Sequence, residues 1–238
     1  MKLIEKTKDQ LVFAAEMDES IANAIRRYVG QIPIIAADEL EISRNDSPLY
    51  DETIAHRVGL IPLKMDKSAE KGKLKLNVKK EGTVYSGDIR GHPEVVHKNI
   101  PITTLDKAQE LEFTATVKLG KGVEHAKFSP GLMFYRDSVE ISMDREFLDE
   151  VKKIFPDAEI KEKAGKIVIL DDKKREMTDV CEGICNKKKK KAEITKKNEL
   201  IITIESFGQL DAKDMFKESI DVLKKDLASV AKAIDKAV

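Results

Sequence analysis

The spacing of hydrophobic positions changes period several times along this chain. Residues 2 to 16 surround the apolar run Leu11, Val12, Phe13 and Ala14, which predicts a strand pair or hairpin. The next segment, MDESIANAIRRYVGQIP, switches to helical spacing and places Ile21, Ile25, Tyr28, Val29 and Ile32 on one face. Asp18 is positioned to cap that helix, Glu19 complements its N-terminus, and Gly30 followed by Pro33 supplies the stop. Residues 34 to 43 turn strand-like, and Asn45 to Pro48 carry turn chemistry. From about 73 to 143 the period is mostly two. In LEFTATVKL the residues Leu111, Phe113, Ala115, Val117 and Leu119 alternate with polar ones, as in a strand with one face in a core and one in water.

Between about 144 and 197 the charge rises. A helix-like REFLDEVKKIF, a strand-like GKIVIL, two cysteines and the run Lys187 to Lys191 together suggest a small inserted module. The strand pattern returns in ELIITIES, and one long helix follows. In that helix Phe216, Ile220, Leu223, Leu227, Val230 and Ile234 are spaced by four and three residues in turn, an a/d seam narrower than the apolar face of most packed helices. A helix-to-helix contact is therefore favoured. The expected class is α+β with two lobes: residues 1–42 and 198–238 form one from both chain ends, residues 43–143 form an inserted β-rich lobe, and 144–197 form the module.

Composition narrows the partners. The 43 Lys and Arg balance 43 Asp and Glu, so no global field draws the chain to nucleic acid or an anionic membrane. No run approaches the length of a membrane-spanning helix, and MKLIEKTKDQLVF lacks the pattern of a signal peptide, which gives a cytoplasmic expectation. Cys181 and Cys185 are too few and too close for a disulfide framework.

Chemistry-bearing motifs are sparse. His56, His92, His97 and His125 show no paired ligand spacing, and no phosphate loop, dinucleotide fingerprint or nucleophile elbow is present. LGKGVEH reads as a turn between strands, and the lysine run as a solvated loop. The stretch YDETIAHRVGLIPLK predicts a short helix ended by Gly59 with an extended exit from Leu60 to Leu63. A hydrolase using His56 with Asp51 or Glu52 has no accompanying nucleophile, so a docking edge is the better reading of the residues alone.

Four blocks, ANAIRRYVGQIPIIAADELEI, SPLYDETIAHRVGLIPL, LGKGVEHAKFSPGLMFYR and ESFGQL before a final helix, closely resemble the D subunits of archaeal DNA-directed RNA polymerase. That family is related to the amino-terminal domain of the bacterial alpha subunit and to its eukaryotic counterparts. The resemblance runs in order from about residue 18 to the C-terminus. It implies a non-catalytic assembly subunit of a nucleotidyltransferase complex, with an alpha-subunit-like fold. Ile21, Ile25, Tyr28 and Val29 of the first helix would join Phe216, Ile220, Leu223, Leu227, Val230 and Ile234 of the last (about Asp214 to Ala233) in a heterodimer with the small L subunit of RNA polymerase. Tyr50, Asp51, Glu52, His56, Arg57, Gly59, Ile61 and Pro62 would face the large B subunit, with the small N and P subunits completing the platform. DNA would be met only through the complete enzyme.

The module resembles the ferredoxin-like domain that some members carry with an iron–sulfur cluster. Such clusters use cysteines spaced C-x2-C-x2-C-x3-C. Counting back from Cys185 and Cys181, the first two positions hold Thr178 and Arg175. The expectation is a module that keeps its fold without a cluster, with Lys174 and Arg175 filling the space, and no cofactor. A metal-binding or redox protein built on this insert is the competing reading.

Overall fold

The computed structural model describes residues 1–66, 68, 71–163, 165–173 and 175–237. Strands β1 (Lys2–Lys6) and β2 (Gln10–Ala15) form the antiparallel hairpin that the apolar run predicts, with Leu3 opposite Phe13 and an irregularity before Glu5. Helix α1 (Glu19–Tyr28) starts at Asp18, whose Oδ1 accepts from the Ser20 backbone N–H at 2.8 Å and whose carbonyl accepts from Ala22 at 3.0 Å. A 3-10 turn, Val29–Gln31, extends it. Pro33 then opens β3 (Pro33–Asn45), a longer strand than residues 34 to 43, because it pairs from Pro33↔Lys121 to Asn45↔Leu111 with β8 (Leu111–Lys121).

The remaining elements follow in order: α2 (Asp51–Gly59), β4 (Lys73–Val78), β5 (Gly82–Tyr85), β6 (Arg90–Gly91), β7 (Pro101–Leu105), β9 (Gly131–Asp144), α3 (Leu148–Ile154), β10 (Ile160–Lys163), β11 (Lys166–Leu170), α4 (Thr178–Lys187), β12 (Glu193–Ser206) and α5 (Ala212–Ala237). The fold is mixed α and β. Its sheets run β1-β2-β12-β9-β11-β10, β3-β8-β4-β6 and β5-β7, and the ladders between β1 and β2, β3 and β8, β4 and β8, and β9 and β11 are antiparallel.

Local differences from the sequence reading have physical causes. REFLDEVKKIF divides into a 3-10 turn, Arg145–Phe147, and α3, because Phe147 turns into the core at the junction. Helix α4, around the two cysteines, is not signalled by a long periodic run. β12 begins before ELIITIES, and its first six residues are exposed, so they lack the alternation that marks a half-buried strand. α5 extends beyond Asp214–Ala233 at both ends.

Compactness divides the chain into Met1–Ala22 with Phe134–Thr203, and Asn23–Met133 with Ile204–Val238. These cuts differ from the expected segments 1–42 with 198–238, 43–143 and 144–197. β1 and β2 share one hydrogen-bonded sheet with the module strands, which sequence separation conceals. In the first unit, Ile141, Met143, Phe147, Val151, Ile167 and Ile169 pack with Met177, Cys181, Ile184 and Cys185 of the α4 region. In the second, Ile54, Val58, Ile61 and Leu63 close over Leu74, Leu76, Leu111, Phe113 and Ala115 of the four-stranded sheet. Alternation along β8 accounts for the sheet side of that core.

Candidate partner-docking surfaces

The apolar stripe of α5 divides into two parts. Ala212, Met215, Phe216 and Ser219 are buried, Ile220 and Leu223 are half-buried, and Leu227, Val230 and Ile234 are 61%, 56% and 58% exposed. From Leu227 to Ala237 every residue is exposed, an overhang of roughly 16 Å at the helical rise per residue. On α1, Ile25 and Val29 are buried, Tyr28 is half-buried and Ile21 is exposed. Thus Ile25, Val29 and Phe216, expected at an interface, belong to the chain's own core. An apolar repeat records burial without saying in which chain the covering surface lies.

Tyr28 and Asp226 tie the two helices together. Desolvation, then a hydrogen bond to the Asp226 carboxylate and its charge, hold the Tyr28 phenol above its ordinary value. Beside α5 runs a hollow of about 430 Å³ whose walls include Ile32, Pro33, Leu119, Leu210 and Val222. This hollow and the stripe lie on different flanks of the helix.

The block around α2 is also split. Tyr50 is 81% exposed, and Asp51, Glu52, His56 and Arg57 are exposed on the helix that Asp51 and Glu52 begin and His56 and Arg57 end, the charge order a helix dipole favours. Gly59 and Ile61 are buried, Ile61 at 2% in the core, and Pro62 is half-buried. The expected apolar edge Leu60 to Leu63 therefore has two of its residues, Ile61 and Leu63, turned inward, which the extended alternation of the segment requires. Arg57 is fixed by a 2.6 Å bond from Nη2 to the Pro101 carbonyl. Asp51 Oδ1 accepts from the Asn45 amide at 2.7 Å, so the carboxylate is engaged in holding the turn before α2.

The final strand and helix are joined by a turn that periodicity does not reveal. Gly208 has φ +97°, and a Cβ there would lie 2.5 Å from Val96 Cγ1, so the position demands glycine. His97 Nε2 lies 3.2 Å from the Phe207 carbonyl, and the Gln209 amide donates to the Ser129 carbonyl at 3.2 Å. With Leu60 and Pro62, these residues border a hollow of about 470 Å³. ESFGQL was legible as a family block but not as a clamp.

In the module, Cys181 and Cys185 lie one helical turn apart and are fully buried. Burial raises the Cys181 thiol to about 11, with the neighbouring Cys185 adding to it, and burial also raises Cys185. Arg175 is exposed, and its backbone N–H donates to Asp172 Oδ1 at 2.6 Å; Thr178 is the first residue of α4. Lys174 lies outside the described residues. Two protonated sulfurs in an apolar core do not fit a cubane cluster, which needs three or four thiolates, and no group of three or more His, Cys, Asp or Glu is placed to hold a metal among the described residues.

The lysine run is exposed throughout, as the loop reading implies, but three of its members are ion-paired. Lys187 pairs with Glu150 at 3.3 Å, Lys188 with Glu146 at 3.8 Å, and Lys190 with Asp144 at 2.6 Å and Glu146 at 3.0 Å. Also in this unit, Arg136 holds Asp171 in a two-pronged ion pair, with Nη2 to Oδ1 at 2.9 Å. Nothing local in the sequence announces that contact between distant residues.

Residues 20–134 match the family model described as the RNA polymerase Rpb3/RpoA insert domain. The DNA-directed RNA polymerase subunit Rpo3 of Methanothermobacter thermautotrophicus is 32% identical over 93% of this chain and 94% of its own length. The Rpo3 of Pyrobaculum aerophilum is 31% identical over 90% of this chain and 87% of its own. That of Pyrococcus horikoshii is 40% identical over 57% of this chain, and the match spans 58% of that relative's length. This chain belongs to the Rpo3 family of archaeal DNA-directed RNA polymerase subunits.

Proposed function

We propose that this chain is a non-catalytic assembly component of archaeal DNA-directed RNA polymerase, the counterpart of the D subunits, acting in the cytoplasm in DNA-templated transcription. It pairs with the small L subunit through the exposed part of α5 and the adjoining surface of α1. The exposed face of α2 then receives the large B subunit, with the small N and P subunits completing the platform; nucleotidyl transfer belongs to other chains.

One observation carries this reading. Leu227, Val230 and Ile234 continue the stripe that the first half of α5 buries in its own core, yet they stand uncovered on an overhanging helix. A repeated apolar stripe on a helix end that its own chain leaves bare is suited to a second helix laid along it. Such pairing is disfavoured by charge placed on the stripe, because an unpaired charge would be buried.

The test is co-expression with the L subunit from the same source, followed by size-exclusion chromatography with light scattering. A one-to-one heterodimer that Leu227→Lys abolishes is expected. A monomer indifferent to the L subunit would defeat the reading. The module, on the same proposal, is a cluster-free element of the chain, a place where an apolar core stands in the position of a metal centre.

A further inference from the structure

The bare half of α5 is complementary to itself. Its seam positions Ile220, Leu223, Leu227, Val230 and Ile234 recur at intervals of three and four, and Ala237 takes the next place in the same order. Two such helices laid antiparallel set Leu227 of one copy against Val230 of the other, Leu223 against Ile234, and Ile220 against Ala237. The relation is its own inverse, so a single two-fold axis satisfies every contact at once. Leu227, Val230 and Ile234, more than half exposed in the single chain, would then all be covered, and no polar residue enters the seam.

The positions beside the seam suit the same arrangement. Across the antiparallel pair Lys224 falls beside Ala231 of the second copy and Asp226 beside Ala233, so no like charges are opposed. Ala231 and Ala233 are small and exposed, which lets the two helix axes approach. With 43 cations against 43 anions, no net charge repels a second copy. Antiparallel packing also opposes the two helix dipoles. It keeps the buried starts of the helices, where Met215 and Phe216 enter their own cores, at opposite ends of the pair, whereas a parallel pair would crowd them together. A contact limited to one helix pair falls at the small end of specific interfaces, below roughly 1,200 Å², so the pairing is weak enough to yield to a better partner.

We infer that two copies of this chain pair antiparallel through the bare half of α5 when the L subunit is absent. The self-pairing stands on the helix alone. Its consequence rests on the proposed function: the L subunit takes the same stripe, so it must displace the second copy, and the unassembled chain keeps its apolar end covered until then.

The test is sedimentation velocity of the full chain, first alone from about 1 to 100 µM and then with the L subunit from the same source. A concentration-dependent dimer is expected, weakened at least about tenfold by Leu227→Lys and by Val230→Glu, each by itself. Both substitutions fall on exposed positions, so the chain should remain folded. Lys232→Glu, on the side of the helix away from the seam, should leave the dimer unchanged. Mixing the Leu227→Lys chain with the Val230→Glu chain should restore part of the dimer, because the antiparallel register brings those two positions together; a parallel pair would set position 227 against 227 and recover nothing. Added to the wild-type chain, the L subunit should replace the dimer by a one-to-one heterodimer. A chain that stays monomeric at about 100 µM, a dimer indifferent to both substitutions, or no recovery on mixing would each overturn the inference. So would a four-chain complex in which the dimer persists with the L subunit bound. A dimer that passes these tests but ignores the L subunit would support the self-pairing and defeat the proposed function.

Discussion

The Tyr28 hydroxyl donates to the Asp226 carboxylate, so the end of α1 is joined to α5 at the residue before its exposed overhang begins. The bond is placed to hold α5 against the 3-10 turn Val29–Gln31, from which the overhang then departs.

Because the folded Tyr28 pKa is raised, its contribution to stability is fully present below the ordinary value of 10.0 and is lost as pH rises through the higher folded value. Wild type should therefore lose stability between neutral and strongly alkaline pH more steeply than Tyr28→Phe, which lacks the titrating group. Melting temperatures across that range check this. Parallel curves would mean that the hydroxyl is not engaged in solution.

The two halves of the α5 stripe should respond oppositely to substitution. Phe216→Ala empties a core position and should cost roughly 3–5 kcal/mol of the isolated chain's stability. Leu227→Lys or Val230→Glu, on the bare half, should change that stability by no more than about 0.5 kcal/mol. Either of the latter should abolish the heterodimer. Denaturant melts of the single chain and light scattering of the complex separate the effects.

Cys181 and Cys185 should be silent to a thiol reagent until the module unfolds, because they are buried and Cys181 is held at about 11. Chelator treatment should leave the melting temperature unchanged. Cys181→Ser should cost about 1–3 kcal/mol by burying a hydroxyl in an apolar setting, more than Cys181→Ala. Stoichiometric iron or zinc with thiolate charge-transfer absorbance in anaerobically purified protein would contradict the cluster-free proposal.

The lysine run should act on the module's stability. Lys190→Glu places a third carboxylate beside Asp144 and Glu146 and should lower the melting temperature, less so at high salt. The Lys190 side chain first of all, through its hydrogen bond and charge, holds Asp144 below the ordinary carboxylate value. That contribution is present above the unfolded Asp pKa and disappears as pH falls through the lower folded one. Acid melts of wild type should show this loss and Lys190→Glu should not. The heterodimer with the L subunit should form normally in the variant.

Arg136→Leu strips the partner from Asp171, whose side chain is only 2% exposed. The loss should reach about 3 kcal/mol, below the full cost of breaking a wholly buried pair because Arg136 itself meets solvent. Arg136→Lys should recover part of it, since one ammonium cannot reproduce the fork. Denaturant midpoints decide between them.

The sequence by itself determined the elements whose signal is local. Asp18 with Glu19 started α1, the alternation Leu111 to Leu119 specified β8, and the four-three spacing from Phe216 to Ile234 specified α5. These depend on backbone period and capping, which neighbouring residues fix. The family blocks were legible for the same reason, being contiguous. Tertiary structure decided which apolar residues the chain itself covers: Phe216, Ile25 and Ile61 are buried, while Leu227, Ile234 and Tyr50 are left exposed. It also decided that β1 and β2 share a sheet with β9 and β11, that Lys190 meets Asp144, and that Arg90 faces Lys75. Register and ion pairing between distant segments depend on how strands align across a fold, and a one-residue slip would reverse every such face.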